Sequence, residues 1–149
     1  DGEKVVKDNA MIVRISYPYR ADYDKRSDIF RTIKSLLLHG EKIKGITDST
    51  ITPTFIDDIG FGLKYLINNF STDTFHLVGA DSLTPYDAFQ EIAKIFKLKH
   101  DLISKITCDD FFHGKAKRPR QGQTTSVKNT FQKMKSFREA LIEIAASIK

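Results

Sequence analysis

The sequence predicts an α/β fold, with α+β architecture as the alternative, because short apolar runs alternate with segments of helical periodicity. The run from Ala10 to Ser16 is rich in β-branched residues and predicts a parallel strand that is buried on both faces. Similar runs at 74–79 and 102–107 predict two more strands. Hydrophobic residues make up 40% of the chain and charged residues 29%, which is typical of a globular protein. We therefore expect a single domain over residues 1–149.

The first part of the chain predicts a helix on either side of the first strand. Residues 1–9 have the composition of a helix end. The strand should be broken at Pro18, because proline cannot donate a hydrogen bond to a β-ladder. The next helix can begin at Ser27 or Asp28, since either side chain suits an N-cap, and its apolar residues over 29–37 fall on one stripe.

Local signals also place a helix in the middle of the chain. Gly40 suits the C-terminal end of the preceding helix, and residues 41–52 predict a short strand and a loop. Thr54 and Asp57 have the spacing of a capping box, in which a hydroxyl and a later acid bond the free amides of a helix start. Apolar residues then follow at helical spacing over 56–70, and we predict that this stripe faces the core.

Two further helices complete the pattern. Thr84 and Pro85 predict a helix start, with threonine as the cap and proline at the first helical position. The apolar stripe of this helix covers 88–96, and that of the closing helix covers 137–148. Residues 113–126 between them predict a basic loop that contains glycine and threonine.

Composition excludes several classes of function. The one cysteine, Cys108, cannot form a disulfide within the chain, which favours a cytoplasmic setting, and no partner base marks it as a nucleophile. No apolar run is long enough for a membrane-spanning helix. The net charge of +5 leaves open nucleic acid, a nucleotide diphosphate or no anionic partner at all. The histidines lack the spacing of metal ligands, so we expect no metal site; they are His39, His76, His100 and His113.

A series of segments along the chain has the order and spacing of one known family. It resembles the C-terminal region of extended short-chain dehydrogenases, and within these the dTDP-4-dehydrorhamnose reductases. The resemblance covers nearly the whole chain, through several short pieces rather than one long motif. These pieces are residues 12–19, 52–59, 75–79, 83–89, 117–119 and 137–141.

The resemblance implies both a fold and a reaction. The fold would be the last parallel strands of a Rossmann-like sheet together with a small α/β substrate-binding subdomain. The function would be that of the substrate-binding portion of an NAD(P)H-dependent reductase of a nucleotide-linked 4-keto sugar, in deoxysugar biosynthesis. NADP or NAD would be the cofactor of the full-length protein. The sequence holds neither a Gly-rich cofactor turn nor a Tyr-x-x-x-Lys pair, so we assign no catalytic residue.

The same resemblance implies that an N-terminal Rossmann half precedes the chain. Residues 1–4 are similar to the stretch that follows the catalytic lysine in the family. We therefore expect the isolated chain to be inactive and to bind no cofactor by itself. We also expect it to expose a hydrophobic face that meets the missing half or supports a homodimer.

Three residues after the first strand are the implied cofactor contacts. Ser16, Tyr17 and Pro18 match positions that meet the nicotinamide end of the cofactor in the family. Arg20 stands where the family often has glycine, so the turn can differ in shape. The alternative is that Tyr17 and Tyr19 merely pack beneath a loop.

The basic loop is the implied substrate site. Arg118 and Pro119 match an Arg-Pro pair that binds the diphosphate of the nucleotide sugar, and the planar donors of a guanidinium can hold two phosphate oxygens at once. Gln121 and Gln123 would add polar contacts. The alternative is a solvated basic loop. Because no helix-turn-helix or RNA-binding signature accompanies it, we expect no nucleic-acid partner.

Other interpretations of the sequence stay open. Asp57 and Asp58 could form a pair of general acids, although their place at a helix start favours capping. The chain could belong to an NAD-dependent nucleotide-sugar epimerase or dehydratase, which shares the same framework. It could also be a non-catalytic regulatory subunit on this fold, or a free-standing binding module.

Overall fold

A computed structural model describes residues 2–6, 8–22, 25–114 and 119–147. These described residues form six short strands and six α-helices, and one 3₁₀ turn (His100–Leu102) precedes the last of these strands. In chain order the elements are α1 (Gly2–Val6), β1 (Ile12–Ile15), β2 (Pro18–Tyr19), α2 (Ile29–Leu38), β3 (Ile43–Ile46), β4 (Thr54–Phe55), α3 (Ile56–Asn68), β5 (Thr74–Leu77), α4 (Pro85–Ile95), β6 (Ile103–Ile106), α5 (Cys108–Phe111) and α6 (Phe137–Ser147).

The strands form three parallel pairs. Strand β1 lies beside β5, with Ile12 opposite Thr74. Strand β2 lies beside β4, and β3 lies beside β6 with Ile43 opposite Ile103. Parallel pairing requires a crossover between partners, and helices supply it here. The predicted α/β class is therefore confirmed.

Two apolar cores hold these pairs. The larger core lies among α2, α4, α6 and the β3–β6 pair, and its centre is a cluster of Tyr19, Phe30 and Phe137. The Tyr19 ring meets the Phe137 ring edge-on at 5.1 Å between centroids. The smaller core joins α3 to β5 through Leu66 and Leu77. The β1–β5 pair and α3 thus share the smaller core, and α2, α4 and α6 pack in the larger one.

Most of the local helix signals are confirmed. Asp28, one of the two predicted caps, is the N-cap of α2, and its carboxylate accepts a hydrogen bond from the Arg31 amide. The helix ends before Gly40, which has a φ of +77°. Thr84 caps α4 and Pro85 is its first residue, as predicted.

The predicted capping box at the start of α3 is wrong. The N-cap is Phe55, and it makes no side-chain capping bond. Thr54 lies in β4 instead and is fully buried, and its hydroxyl accepts a hydrogen bond from the Gly79 amide at 3.1 Å. The spacing matched the motif, but pairing of the strand with β2 moves the helix start one residue further along.

Strand β1 differs from its prediction in burial. Its first two residues are half-buried, and Ile15 is 50% exposed, so the strand is not buried on both faces. The predicted break before Pro18 does occur, yet Pro18 itself begins β2. A first strand position tolerates proline, because its missing amide is not needed there.

The apolar stripe of α3 is only partly in the core. Ile59 and Leu66 are buried, whereas Ile67 and Phe70 are 75% and 66% exposed. Phe61, near the start of the same helix, is 60% exposed as well. Among the described residues no helix is long and apolar enough to cross a membrane.

Candidate functional site

A cleft of about 310 Å³ opens where β1 and β3 end. We call it the Tyr17 cleft; its lining includes Tyr17, Thr50, Phe112, Pro119 and Gly122. Ligands of parallel α/β sheets bind outside the carboxyl ends of the strands, and this cleft lies at such an edge. Its position makes it the leading candidate for a ligand site.

Tyr17 is held at this edge by an unusual backbone conformation. Its φ is +41°, a region that side chains other than glycine seldom adopt. The Tyr17 carbonyl accepts a hydrogen bond from the Thr54 amide at 3.2 Å, which fixes the turn. The phenol ring is left 43% exposed. Strain of this kind often occurs at functional sites, where surrounding contacts maintain it.

The two tyrosines of this turn have different roles. Tyr19 is 1% exposed and packs in the main core. Burial raises the pKa of the Tyr19 phenol, so its hydroxyl keeps its proton and does not serve as a base. The packing alternative therefore holds for Tyr19, whereas Tyr17 faces the cleft.

One wall of the Tyr17 cleft is the segment 119–126. The Thr50 amide donates to the Arg120 carbonyl at 2.9 Å, and the Gly122 amide donates to the Thr50 carbonyl at 3.2 Å. A Cβ at Gly122 would lie 2.6 Å from the Thr50 oxygen, so only glycine allows this close approach. The segment thus pairs with the loop after β3 like a short strand.

The same segment is anchored again further along. The Thr124 amide donates to the Thr52 hydroxyl at 3.0 Å, and Thr52 is fully buried. The Ser126 hydroxyl donates to the His76 carbonyl at 2.5 Å, at the end of β5. Both anchors lie within the fold, so the wall is a fixed surface rather than a loose loop.

Ion pairs brace the outside of this wall. The Arg120 guanidinium lies 2.5 Å from Asp109 and 3.4 Å from Asp48. Asp48 in turn accepts a hydrogen bond from the Cys108 amide at 2.6 Å. The hydrogen bond that the Arg120 guanidinium donates to Asp109 raises the pKa of Arg120. Cys108 is buried and lines the cleft.

A second cleft, of about 350 Å³, lies on the other side of Tyr17. We call it the arginine cleft, because Arg20, Arg26 and Arg31 line it together with Asp28. Tyr17 and Ile29 line both clefts, so the two clefts adjoin at these side chains.

Asp58 makes an ion pair with Lys135, and its carboxylate is buried. It is 1% exposed, and its two oxygens accept hydrogen bonds from the Lys135 amide at 2.7 Å and the Lys135 ammonium at 2.8 Å. The Lys135 ammonium also lies 3.3 Å from Glu143. The hydrogen bond to Asp58 raises the pKa of Lys135. The capping interpretation is therefore wrong for Asp58, whereas Asp57 is exposed in the first turn of α3.

The structure brings together some of the predicted site residues. Tyr17 lines both clefts, Pro18 lines the arginine cleft, and Ser16 is half-buried just before them. The backbone of Gln121 bridges to Thr50, while the side chains of Gln121 and Gln123 are exposed.

Arg118, the predicted diphosphate ligand, lies outside the described residues. Its neighbour Pro119 lines the Tyr17 cleft. Sequence reasoning missed Arg26 and Arg31 as parts of a cleft, although a signal existed. Arg20 already departed from the glycine that is common in the family, and these arginines follow it within a short interval.

Among the described residues no group of histidine, cysteine, aspartate or glutamate could hold a metal ion.

Comparisons with known proteins agree on one family. A family model described as "RmlD substrate binding domain" matches residues 1–149. A probable low-salt glycan biosynthesis reductase of Haloferax volcanii is 29% identical over 126 residues, which are 80% of this chain and 41% of that protein.

Solved structures share the fold. The dTDP-4-dehydrorhamnose reductase of Bacillus anthracis, in complex with NADP, superposes with a TM-score of 0.84 at 23% identity, over 99% of this chain and 52% of that one. The corresponding reductase of Yersinia enterocolitica gives 0.80 at 18% identity, over 99% and 52%. A UDP-glucose 4-epimerase of Thermotoga maritima gives 0.71 at 13% identity, over 91% and 44%. The chain spans about half the length of the relatives it matches.

Proposed function

Because the chain belongs to the RmlD substrate binding domain family, we propose that it is the substrate-binding portion of an NAD(P)H-dependent reductase of a nucleotide-linked 4-keto sugar. The observation that carries the proposal is the Tyr17 cleft. The exposed Tyr17 ring, at the end of β1, meets the fixed wall formed by Pro119 and Gly122 within one cleft. The predicted cofactor side and the predicted substrate side thus adjoin each other.

The cofactor would approach from the β1 end. In this proposal Ser16, Tyr17 and Pro18 meet its nicotinamide end, where hydride transfer takes place. The structurally similar reductase of B. anthracis was solved with NADP. The pyrophosphate of such a cofactor needs a Gly-rich turn, and the sequence holds none. Gly79 follows β5, but the Pro53 carbonyl occupies the space beside it, so this glycine leaves no room for a phosphate. The rest of the cofactor would bind an N-terminal Rossmann half.

The nucleotide sugar would enter along the wall. Arg118 precedes Pro119, so a guanidinium at that position would grip the diphosphate beside the Tyr17 cleft. The sugar ring would then lie against Tyr17. The hydrogen bonds between Thr50 and the wall keep this surface in place, which supports a site that orients its substrate.

The exposed face of α3 supports the proposal of a partner. Phe61, Ile67 and Phe70 are each at least 60% exposed. Large apolar side chains that are exposed in this way are common at interfaces. A Rossmann half is the partner we propose for it, with a homodimer of this chain as the alternative occupant.

Kinetics of the full-length protein that contains this chain test the proposal. We expect it to oxidise NADPH or NADH in the presence of dTDP-4-dehydrorhamnose. Arg118→Gln should raise KM for the sugar nucleotide by roughly tenfold or more and leave kcat near that of the wild type, because the lost contacts hold a non-reacting diphosphate. Arg138→Gln is the control, since Arg138 is an exposed arginine on α6 that pairs with Glu91.

Two outcomes separate the alternatives. Epimerase or dehydratase neighbours share the fold, and turnover of a nucleotide sugar with no net consumption of NAD(P)H would favour that chemistry. Sugar-nucleotide binding without any turnover would favour a regulatory subunit. A protein that neither binds nor converts a nucleotide sugar would contradict the proposal.

A further inference from the structure

One hydroxyl in the Tyr17 cleft has no hydrogen-bond partner in the protein. Thr50 lines this cleft, and its hydroxyl oxygen is buried. Among the described residues, this oxygen and the amide nitrogen of Asn129 are the buried polar side-chain atoms that bond no other group, and Asn129 does not line the Tyr17 cleft. A buried polar group without a partner has lost its hydrogen bonds to water and gained none in return, so such groups are uncommon in folded proteins. A ligand in the cleft can supply the missing bond.

The backbone of Thr50 holds this side chain at the cleft. The Thr50 amide donates to the Arg120 carbonyl at 2.9 Å, and the Thr50 carbonyl accepts from the Gly122 amide at 3.2 Å. These two bonds fix the chain on both sides of the Thr50 Cα. Rotation about the Cα–Cβ bond is then the movement that turns the hydroxyl toward a ligand, and it leaves the wall unchanged.

The rest of the lining indicates the chemistry of the ligand. The described residues that line the cleft include no charged side chain, and several are apolar, among them Ile46, Ile51 and Pro85. A hexose has hydroxyls around its ring, and such a surface would leave many of them without partners. A nucleobase has apolar faces and only a few polar atoms at its edge. A single hydroxyl suits this edge, because it can both donate and accept a hydrogen bond.

The cleft has room for this arrangement beside the proposed sugar position. Ile46 and Ile51 are buried and form its inner part, whereas the Tyr17 ring is 43% exposed at the end of β1. We infer that the Thr50 hydroxyl hydrogen-bonds the polar edge of the nucleobase, which makes Thr50 a specificity-determining residue for the nucleotide. The diphosphate would then lie beside Pro119 and the sugar against Tyr17. This inference rests on the proposed function.

The inference predicts opposite effects of the Thr50 hydroxyl on stability and on binding. Without a ligand the hydroxyl is buried and unpaired, so its removal should not destabilise the protein. With a ligand it makes a hydrogen bond, so its removal should weaken binding. Thr50→Val tests both effects, because valine has nearly the same shape as threonine and lacks the hydroxyl.

Calorimetric titrations of the full-length protein that contains this chain measure the effect on binding. We expect Thr50→Val to weaken dTDP-glucose and dTDP by the same factor, roughly tenfold. Thr50→Ser keeps the hydroxyl and should bind both ligands like the wild type. 3′-Deoxythymidine has the base but neither a phosphate nor the 3′-hydroxyl, and as a competitor of dTDP-glucose it should lose affinity by the same factor in Thr50→Val.

Two other threonines provide the controls. The Thr47 hydroxyl donates to the Ile106 carbonyl at 3.4 Å, and Thr47 does not line the cleft, so Thr47→Val should leave all three affinities unchanged. The Thr52 hydroxyl is buried and bonds both the Ser82 hydroxyl and the Thr124 amide. Thr52→Val should therefore lower the thermal denaturation midpoint of the ligand-free protein, whereas Thr50→Val should leave it unchanged or raise it.

Several results would overturn the inference and leave the proposed function standing. Wild-type affinities in Thr50→Val are the first, and if its denaturation midpoint also falls, the hydroxyl bonds an ordered water instead of a ligand. A loss with dTDP-glucose alone would place the contact on the sugar. A loss with dTDP-glucose and dTDP but not with 3′-deoxythymidine would place it on the diphosphate or the ribose. If the wild type binds none of these ligands, the proposed function fails together with the inference.

Discussion

The ion pair of Asp58 and Lys135 should contribute strongly to the free energy of unfolding. Lys135→Met removes the ammonium and leaves the carboxylate, at 1% exposure, with the Lys135 amide as its remaining contact. Breaking a buried pair by removing one partner costs about 3–5 kcal/mol. The hydrogen bond from the Lys135 backbone amide to Asp58 remains in this variant, and the lysine side chain is 29% exposed. We therefore expect a loss at the lower end of that range, about 3 kcal/mol.

Urea unfolding measures this loss in the free energy of unfolding, and a thermal melt measures it as a change in Tm. For a protein of this size, 1 kcal/mol corresponds to a change in Tm of roughly 2–4 °C, so Lys135→Met should lower Tm by roughly 6–12 °C. Lys133→Met is the matched control. The Lys133 side chain is 87% exposed, and its ion pair with Glu139 is long, at 3.9 Å. Its loss should therefore change the free energy of unfolding by less than about 0.5 kcal/mol.

The pH dependence gives a second, independent readout. The pKa of Lys135 is raised above its ordinary value of 10.5, so the folded state holds this proton more tightly than the unfolded state. The stabilisation is therefore complete below pH 10.5 and is lost as pH rises through the folded-state pKa. The gap in stability between the wild type and Lys135→Met should therefore narrow as the pH is raised into the alkaline range. A Lys135→Met protein as stable as Lys133→Met at neutral pH would refute the reasoning.

Two further changes test the wall and a helix start. Gly122→Ala should weaken substrate binding several-fold and also lower stability, because its Cβ would lie 2.6 Å from the Thr50 carbonyl oxygen and force the wall of the cleft to shift. Gly60→Ala, where a Cβ meets nothing within 4 Å, should leave binding unchanged, and equal effects of the two on binding would contradict the role of the wall. Thr84→Ala should lower the free energy of unfolding by about 1 kcal/mol, since it removes the cap that accepts the Asp87 amide, and an unchanged denaturation midpoint would argue against that cap.

Helix starts and the fold class could be predicted from the sequence because their causes are local. The Thr84–Pro85 start needs only neighbouring residues, and Asp28 caps α2 through an amide three residues away. The alternation of strands and helices likewise follows from short-range periodicity. The resemblance to a family then added the expectation of parallel strands from a Rossmann-like sheet and the candidate site residues.

Features that depend on distant partners could not be predicted in this way. Asp58 and Lys135 are 77 residues apart in sequence, so the aspartate pair at 57–58 looked like ordinary capping residues. Thr54 matched a capping box but is drawn into β4 by its partner strand. The exposed apolar residues of α3 show the same limit, because periodicity reports an apolar face and not what covers it.

The arginine cleft illustrates how a site can arise from residues with no recognisable motif. Arg20 and Arg31 are 11 positions apart and contact the same carboxylate, Asp28. A charge-rich loop is usually a solvated surface, and only the shared aspartate shows that this one is ordered. The closely spaced arginines were visible in the sequence, but only the structure shows that they line one cleft.

The most direct test of the account is a crystal structure of the encoded protein with NADP and dTDP-glucose. The account predicts that the diphosphate lies beside the wall at Pro119 and Gly122, with the sugar against Tyr17. A sugar nucleotide bound away from the Tyr17 cleft, or a wall that separates from Thr50 to admit it elsewhere, would contradict the account.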